Sequence, residues 1–198
     1  MKKAVTAIVL GVFMVALSAC ELDKGNEGVT EGTTPTDNGG ETVTPTGTYK
    51  FIRVMDDTTN EQLSTCTNPN PGADIDAVAV LRGGTIIGWA SQVFGDELGS
   101  VCAKNTAANP NTALAQSDET DPMDSENLFV SLNGGSIVVR FADSTTGSDI
   151  TLQSGDTIKV FEVPGTSADY YYVDACEDSA CSKSKELGHG SGEATFSF

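Results

Sequence analysis

Basic side chains are scarce in this sequence: 11 Lys and Arg stand against 28 Asp and Glu, for a net charge of −17. That deficit excludes nucleic acid as a partner, because binding phosphates rests on neutralising them with Lys and Arg. The stretch Arg82-Gly83-Gly84 therefore reads as a turn and not as an RNA-binding repeat. Histidine is scarcer still. His189 is the only one, set in Gly188-His189-Gly190-Ser191-Gly192, which reads as a solvated glycine-rich loop. A serine triad would need it, and no G-x-S-x-G elbow precedes it. Long apolar runs are missing after residue 17, so no later segment reaches the ~20 residues of a spanning helix. Aromatics make up only 7% of the chain. Trp89, the one tryptophan, lies in an apolar run and reads as core, and the rings of Tyr170-Tyr171-Tyr172 must alternate between strand faces.

What is present begins at the N-terminus. Lys2 and Lys3 precede an apolar run from Ala4 to Leu17 and the small residues Ser18 and Ala19, the layout of a secretory signal. Leu17-Ser18-Ala19-Cys20 resembles the lipobox of bacterial lipoproteins. The resemblance implies cleavage after residue 19 and lipid attachment at Cys20, with two or more acyl chains giving a stable membrane anchor. Glu21 in place of Asp implies, by resemblance to proteobacterial lipoproteins, outer-membrane or cell-surface localisation. Removing residues 1–19 takes away two lysines and no acid, which moves the net charge to −19. Residues 20–48 then form a Thr-, Gly- and Glu-rich acidic tether with almost nothing to bury, a composition that stays unfolded.

Residues 49–198 have the length of one domain. Cys66, Cys102, Cys176 and Cys181 remain for two disulfides outside the cytoplasm. Pairing nearest neighbours gives Cys66–Cys102 and Cys176–Cys181. A four-thiolate zinc site would need C-x₂₋₄-C pairs on both sides, and the spacings lack them.

Short β-branched runs bounded by Gly, Asn, Asp and Ser predict strands at 49–55, 75–81, 85–90, 128–132, 136–141, 149–153, 157–163, 170–175 and 194–198. Asn133-Gly134 predicts a hairpin, because a type I′ turn needs positive φ at both central positions. Residues 103–126 read as a long loop with a short helix near 111–115. The fold class expected is all-β, an antiparallel sandwich. Ala113-Leu114-Ala115-Gln116-Ser117-Asp118, then Phe129 through Phe141 (FVSLNGGSIVVRF), then Asp156 through Glu162 (DTIKVFE) follow a recurring pattern. So do Val173-Asp174-Ala175-Cys176-Glu177-Asp178 and Leu187-Gly188. Together they resemble secreted bacterial domains related to galactose-binding-like, discoidin-type jelly rolls. The resemblance implies a jelly-roll sandwich and matches Asp118 and Glu162 to the family's motif acids.

Calcium is the expected metal, since hard cations take six to eight oxygens. Asp118 and Glu162 are the candidate ligands, with Asp76 beside them, and Glu119, Asp121, Asp124 and Glu126 crowd the same loop as Asp118. The function expected is a non-catalytic, membrane-anchored envelope module that binds a glycan or a protein partner. The alternative is a carbohydrate-active hydrolase working through paired carboxylates.

Overall fold

The computed structural model describes residues 47–114, 116–117, 128–163 and 169–198. The chain divides into two units, Met1–Glu41 and Thr42–Phe198, and all described residues belong to the second. Cys20, the signal, the tether up to residue 46, and the acids Asp118, Glu119, Asp121, Asp124 and Glu126 lie outside the described residues.

The fold is all-β and antiparallel. Nine strands form one sheet: β1 (Phe51–Asp56), β2 (Asp74–Arg82), β3 (Thr85–Glu97), β4 (Val130–Ser131) and β5 (Ser136–Asp143), then β6 (Asp156–Glu162), β7 (Tyr170–Cys176), β8 (Ser184–Ser191) and β9 (Ala194–Ser197). The order is β8-β7-β1-β5-β3-β2-β6-β9, with β4 added to β2. The sheet curls on itself into a nearly closed barrel around one apolar core. That core takes every second residue of its strands: Ile52 and Val54, Val78 and Val80, Ile137, Val139 and Phe141, Ile158 and Val160, Tyr171 and Val173. Among the described residues no helix is long and apolar enough to cross a membrane.

Four local readings change. Asn133 and Gly134 do have positive φ, at 50° and 83°, but they join no hairpin. β4 pairs with β2, whereas β5 pairs with β1 and β3. The Asn133 side chain is spent inward instead: its Oδ1 accepts from Cys102 N–H at 2.9 Å and its Nδ2 donates to the Gly99 and Cys102 carbonyls at 3.0 Å. The glycine-rich segment around His189 is strand β8, paired along β7. Residues 149–153 contribute a single bridge, Ala142 to Asp149, and no strand. β3 runs seven residues past Ala90, and a short helix α1 (Glu61–Thr65) follows β1.

Antiparallel pairing places the ends of β1, β3, β6 and β8 and the starts of β2, β5, β7 and β9 at one pole of the barrel. The disulfide Cys66–Cys102 (S–S 2.08 Å) ties α1 to the loop after β3 near this pole. Cys176–Cys181 closes the loop after β7 at the other, and packs with Val138 and Phe51 on the outside of the sheet.

Candidate functional site

The inward alternation of β1 runs Ile52, Val54, Asp56, and that of β6 runs Ile158, Val160, Glu162. At the first pole, then, the core changes from aliphatic to acidic. Asp74 at the start of β2 and Asp169 just before β7 complete the group, and all four are buried. Asp56 organises the pole. It accepts from Asn60 Nδ2 at 2.7 Å, Ala73 N–H at 3.1 Å and Gly134 N–H at 2.7 Å. Glu162 accepts from Gly192 N–H, and Asp169 accepts from Gln62 Nε2 at 2.6 Å.

Burial is the main cause that raises these carboxyls, and their mutual repulsion adds to it. Asp56 is pushed up to about 6, Asp169 to about 7, Glu162 to about 8 and Asp74 to about 9. Among the described residues, one oxygen each of Asp74 and Asp169 is buried without a hydrogen-bond partner. This pole is a plug of buried acids raised above the ordinary carboxylate range, and at neutral pH Asp74 and Glu162 hold protons that exposed acids would have lost.

The expected calcium ligands are distributed as follows. Glu162 belongs to the plug. Asp76, also buried, accepts from the Ser117 hydroxyl, and Asp118 lies outside the described residues. Among the described residues no three His, Cys, Asp or Glu side chains form a group that could hold a metal ion.

His189 is fixed in β8. Its Nε2 lies 3.1 Å from Asp57 Oδ2, and its ring stacks on Tyr172 at 4.5 Å and on Tyr170 at 5.2 Å between centroids. Thr59 holds Asp57 through its N–H and hydroxyl, both at 2.8 Å, which keeps that carboxyl below its usual range. Tyr171 points the other way, into the core, and its hydroxyl donates to the Gly192 carbonyl at 2.6 Å. The histidine and its two tyrosines clamp β8 to the β1–α1 junction.

The outer surface of the barrel offers a different chemistry. Trp89 alternates with the inward Ala90, so its ring stands outside the barrel and is partly exposed, not in the core. Ala79 pairs in register with both Trp89 and Lys159, and Ala77 with Phe161. These outward alanines are completely buried, beneath the flanking Trp89 and Phe161 rings, whose centroids are 5.5 Å apart. Past Trp89, β3 parts from β2, and the 3₁₀ turn Pro110–Ala113 packs against both. Beside Trp89, where β3 pairs with the end of β5, lies a depression of about 430 Å³ lined by Trp89, Ser91, Leu114, Gln116, Asp143 and Ser144. Asp143 accepts from the N–H groups of Thr145 and Thr146, at 2.9 and 2.7 Å, which lower its pKa and keep it ionised.

A larger recess of about 650 Å³ at the opposite pole is lined by Gly47, Thr48, Lys50, Glu177 and Lys183 and has no ring in its wall. The sequence pointed to neither Gln116 nor Asp143 as a site residue. The plug was partly visible, since Asp56 and Glu162 continue the period-two series of their strands. No protein-family model, no curated protein and no solved structure matches the chain.

Proposed function

We propose that this protein is a lipid-anchored module displayed outside the cytoplasm, and that it binds a glycan in the depression beside Trp89. The observation that carries the reading is the wall chemistry of that depression. One face is an indole ring with Leu114 beside it; the rim is an amide, an ionised carboxylate and two hydroxyls. A pyranose has the same division, with an apolar C–H face and a polar hydroxyl edge. The volume falls within the ~300–1,000 Å³ range of small-molecule sites. Trp89 would stack on the sugar face, Gln116 would bond a hydroxyl in either direction, and Asp143 would accept from one.

Two disulfides support a place outside the cytoplasm, and the lipobox-like Leu17–Cys20 supports the anchor. The hydrolase alternative needs two carboxyls about 5–10 Å apart across a cleft. Among the described residues lining the depression, Asp143 is the one carboxylate.

Binding of a soluble mature chain, Cys20→Ser, to a glycan array tests the reading. Gln116→Ala, an exposed substitution with little effect on folding, is expected to weaken a positive signal about tenfold, and Asp143→Asn likewise. An array with no signal, or a signal that both variants leave intact, overturns it.

A further inference from the structure

Strand β3 carries a second ring on the same outer face. Phe94 is 39% exposed, one of three large apolar side chains so exposed among the described residues. Plain alternation from the inward Ala90 would turn Phe94 inward as well, four residues on. It does not, because the register against β5 slips twice, between Ala90 and Gln92 and between Val93 and Gly95. The first slip reverses the parity. Gln92 pairs with the outward Arg140, Val93 with the core residue Val139, and Phe94 is left facing out. Bulges of this kind re-aim side chains and recur beside functional sites.

Phe94 is held in place. Arg140 Cζ lies 5.0 Å above its ring and Phe51 meets it edge-on at 5.1 Å. Between the two rings the surface is polar: Ser91 donates to the Arg140 carbonyl at 3.3 Å, and Arg140 Nη2 donates to Gln92 Oε1 at 2.8 Å. Five residue steps of bulged strand carry the chain about 15 Å from Trp89 to Phe94, further than a single pyranose reaches.

Resting on the reading of the Trp89 depression, we propose that the ligand is an extended, neutral glycan chain lying along β3, with one unit on Trp89 and a later unit on Phe94. A protein partner would favour contiguous apolar area at the centre of its contact. This strip alternates ring, polar group and ring, as a glycan chain alternates C–H faces and hydroxyl edges. The charge on Arg140 is answered by Asp149 at 2.9 Å, and the chain around it carries −17, so an anionic polysaccharide would be repelled.

The test is calorimetric titration of the soluble mature chain, Cys20→Ser, with cello-, manno-, xylo- and chito-oligosaccharides, from monosaccharide to hexasaccharide. In at least one series affinity is expected to rise about tenfold or more with length. Phe94→Ala should remove that gain and leave the monosaccharide constant unchanged. Phe94→Leu, which keeps the packing on Phe51 without a ring, should do the same, and circular dichroism verifies that both are folded. If no series binds, the depression reading falls and this one with it. If short sugars bind with no gain in length, or if the Phe94 variants keep the gain, this inference alone falls. Tighter binding of oligogalacturonates than of any neutral series would overturn the charge argument.

Discussion

Asp74 shows how a single proton can decide what a buried acid contributes. Burial pushes its carboxyl up to about 9, and the neighbouring acids Asp169, Glu162 and Asp56 add to the rise, so Asp74 is a protonated acid at neutral pH. An acid whose pKa is raised on folding binds more protons in the native state than in the unfolded one. Its effect on stability is favourable at low pH and is lost as pH rises. Asp56, Asp169 and Glu162 are raised as well. The wild-type unfolding midpoint should therefore fall between about pH 5.5 and about pH 8.5, by roughly 5 °C or more. Asp74→Asn supplies an amide donor that cannot ionise. It should flatten this slope and raise the midpoint at the alkaline end, as read by thermal melts. A loss of more than about 2 kcal/mol at both pH values would contradict the proton assignment. Melts with Ca²⁺ at matched ionic strength, with Mg²⁺ as control, test the ligand set Asp76, Asp118 and Glu162. A gain specific to Ca²⁺ would put an ion among them.

Strands rather than side chains determine where the depression lies. β3 and β5 approach closely at Gly88, where a Cβ would overlap the Ala142 carbonyl and the Ile150 side chain. Gly88→Ala is therefore expected to destabilise the domain by about 2 kcal/mol, measured by urea unfolding; a neutral result would mean that the two strands can separate without cost. The same element shows what the sequence reveals and what it hides. The runs around Val54, Val78, Val139 and Val160 announce strands because β-branched residues fit a pleated, half-buried surface. β8, with Leu187-Gly188-His189-Gly190, has no such signature. Its place comes from partners distant in sequence: Tyr172, Tyr170 and Asp57, which hold His189. Trp89 reads as core because its neighbours in sequence are apolar, yet plain alternation with the inward Ala90 turns it outward. Phe94 is hidden for another reason: a bulge reverses the parity of the strand and leaves no mark in composition, so the outward row of β3 beyond Ala90 is readable only from its register with β5. Asn133-Gly134 carries the opposite lesson. Its positive φ values were legible, but the strands on either side go to different neighbours.

Across the whole molecule, chemistry is segregated. One pole is sealed by buried acids, the core between the poles is aliphatic and aromatic, and the depression with its ring lies on the outer wall. The chain's acidity disfavours polyanionic partners. In this arrangement ligand contact should leave the core untouched and register at the wall. Trp89 is the only tryptophan in the chain, so tryptophan fluorescence has its single source in the wall of the proposed site. The most direct measurement is Trp89 emission and acrylamide quenching of the soluble mature chain, titrated with neutral oligosaccharides. The account predicts a saturable change in emission for at least one of them, with reduced quenching, and a weaker response in Gln116→Ala. Unchanged emission and quenching with every oligosaccharide at about 10 mM, where even a millimolar Kd would show, would contradict the claim that this depression binds a glycan.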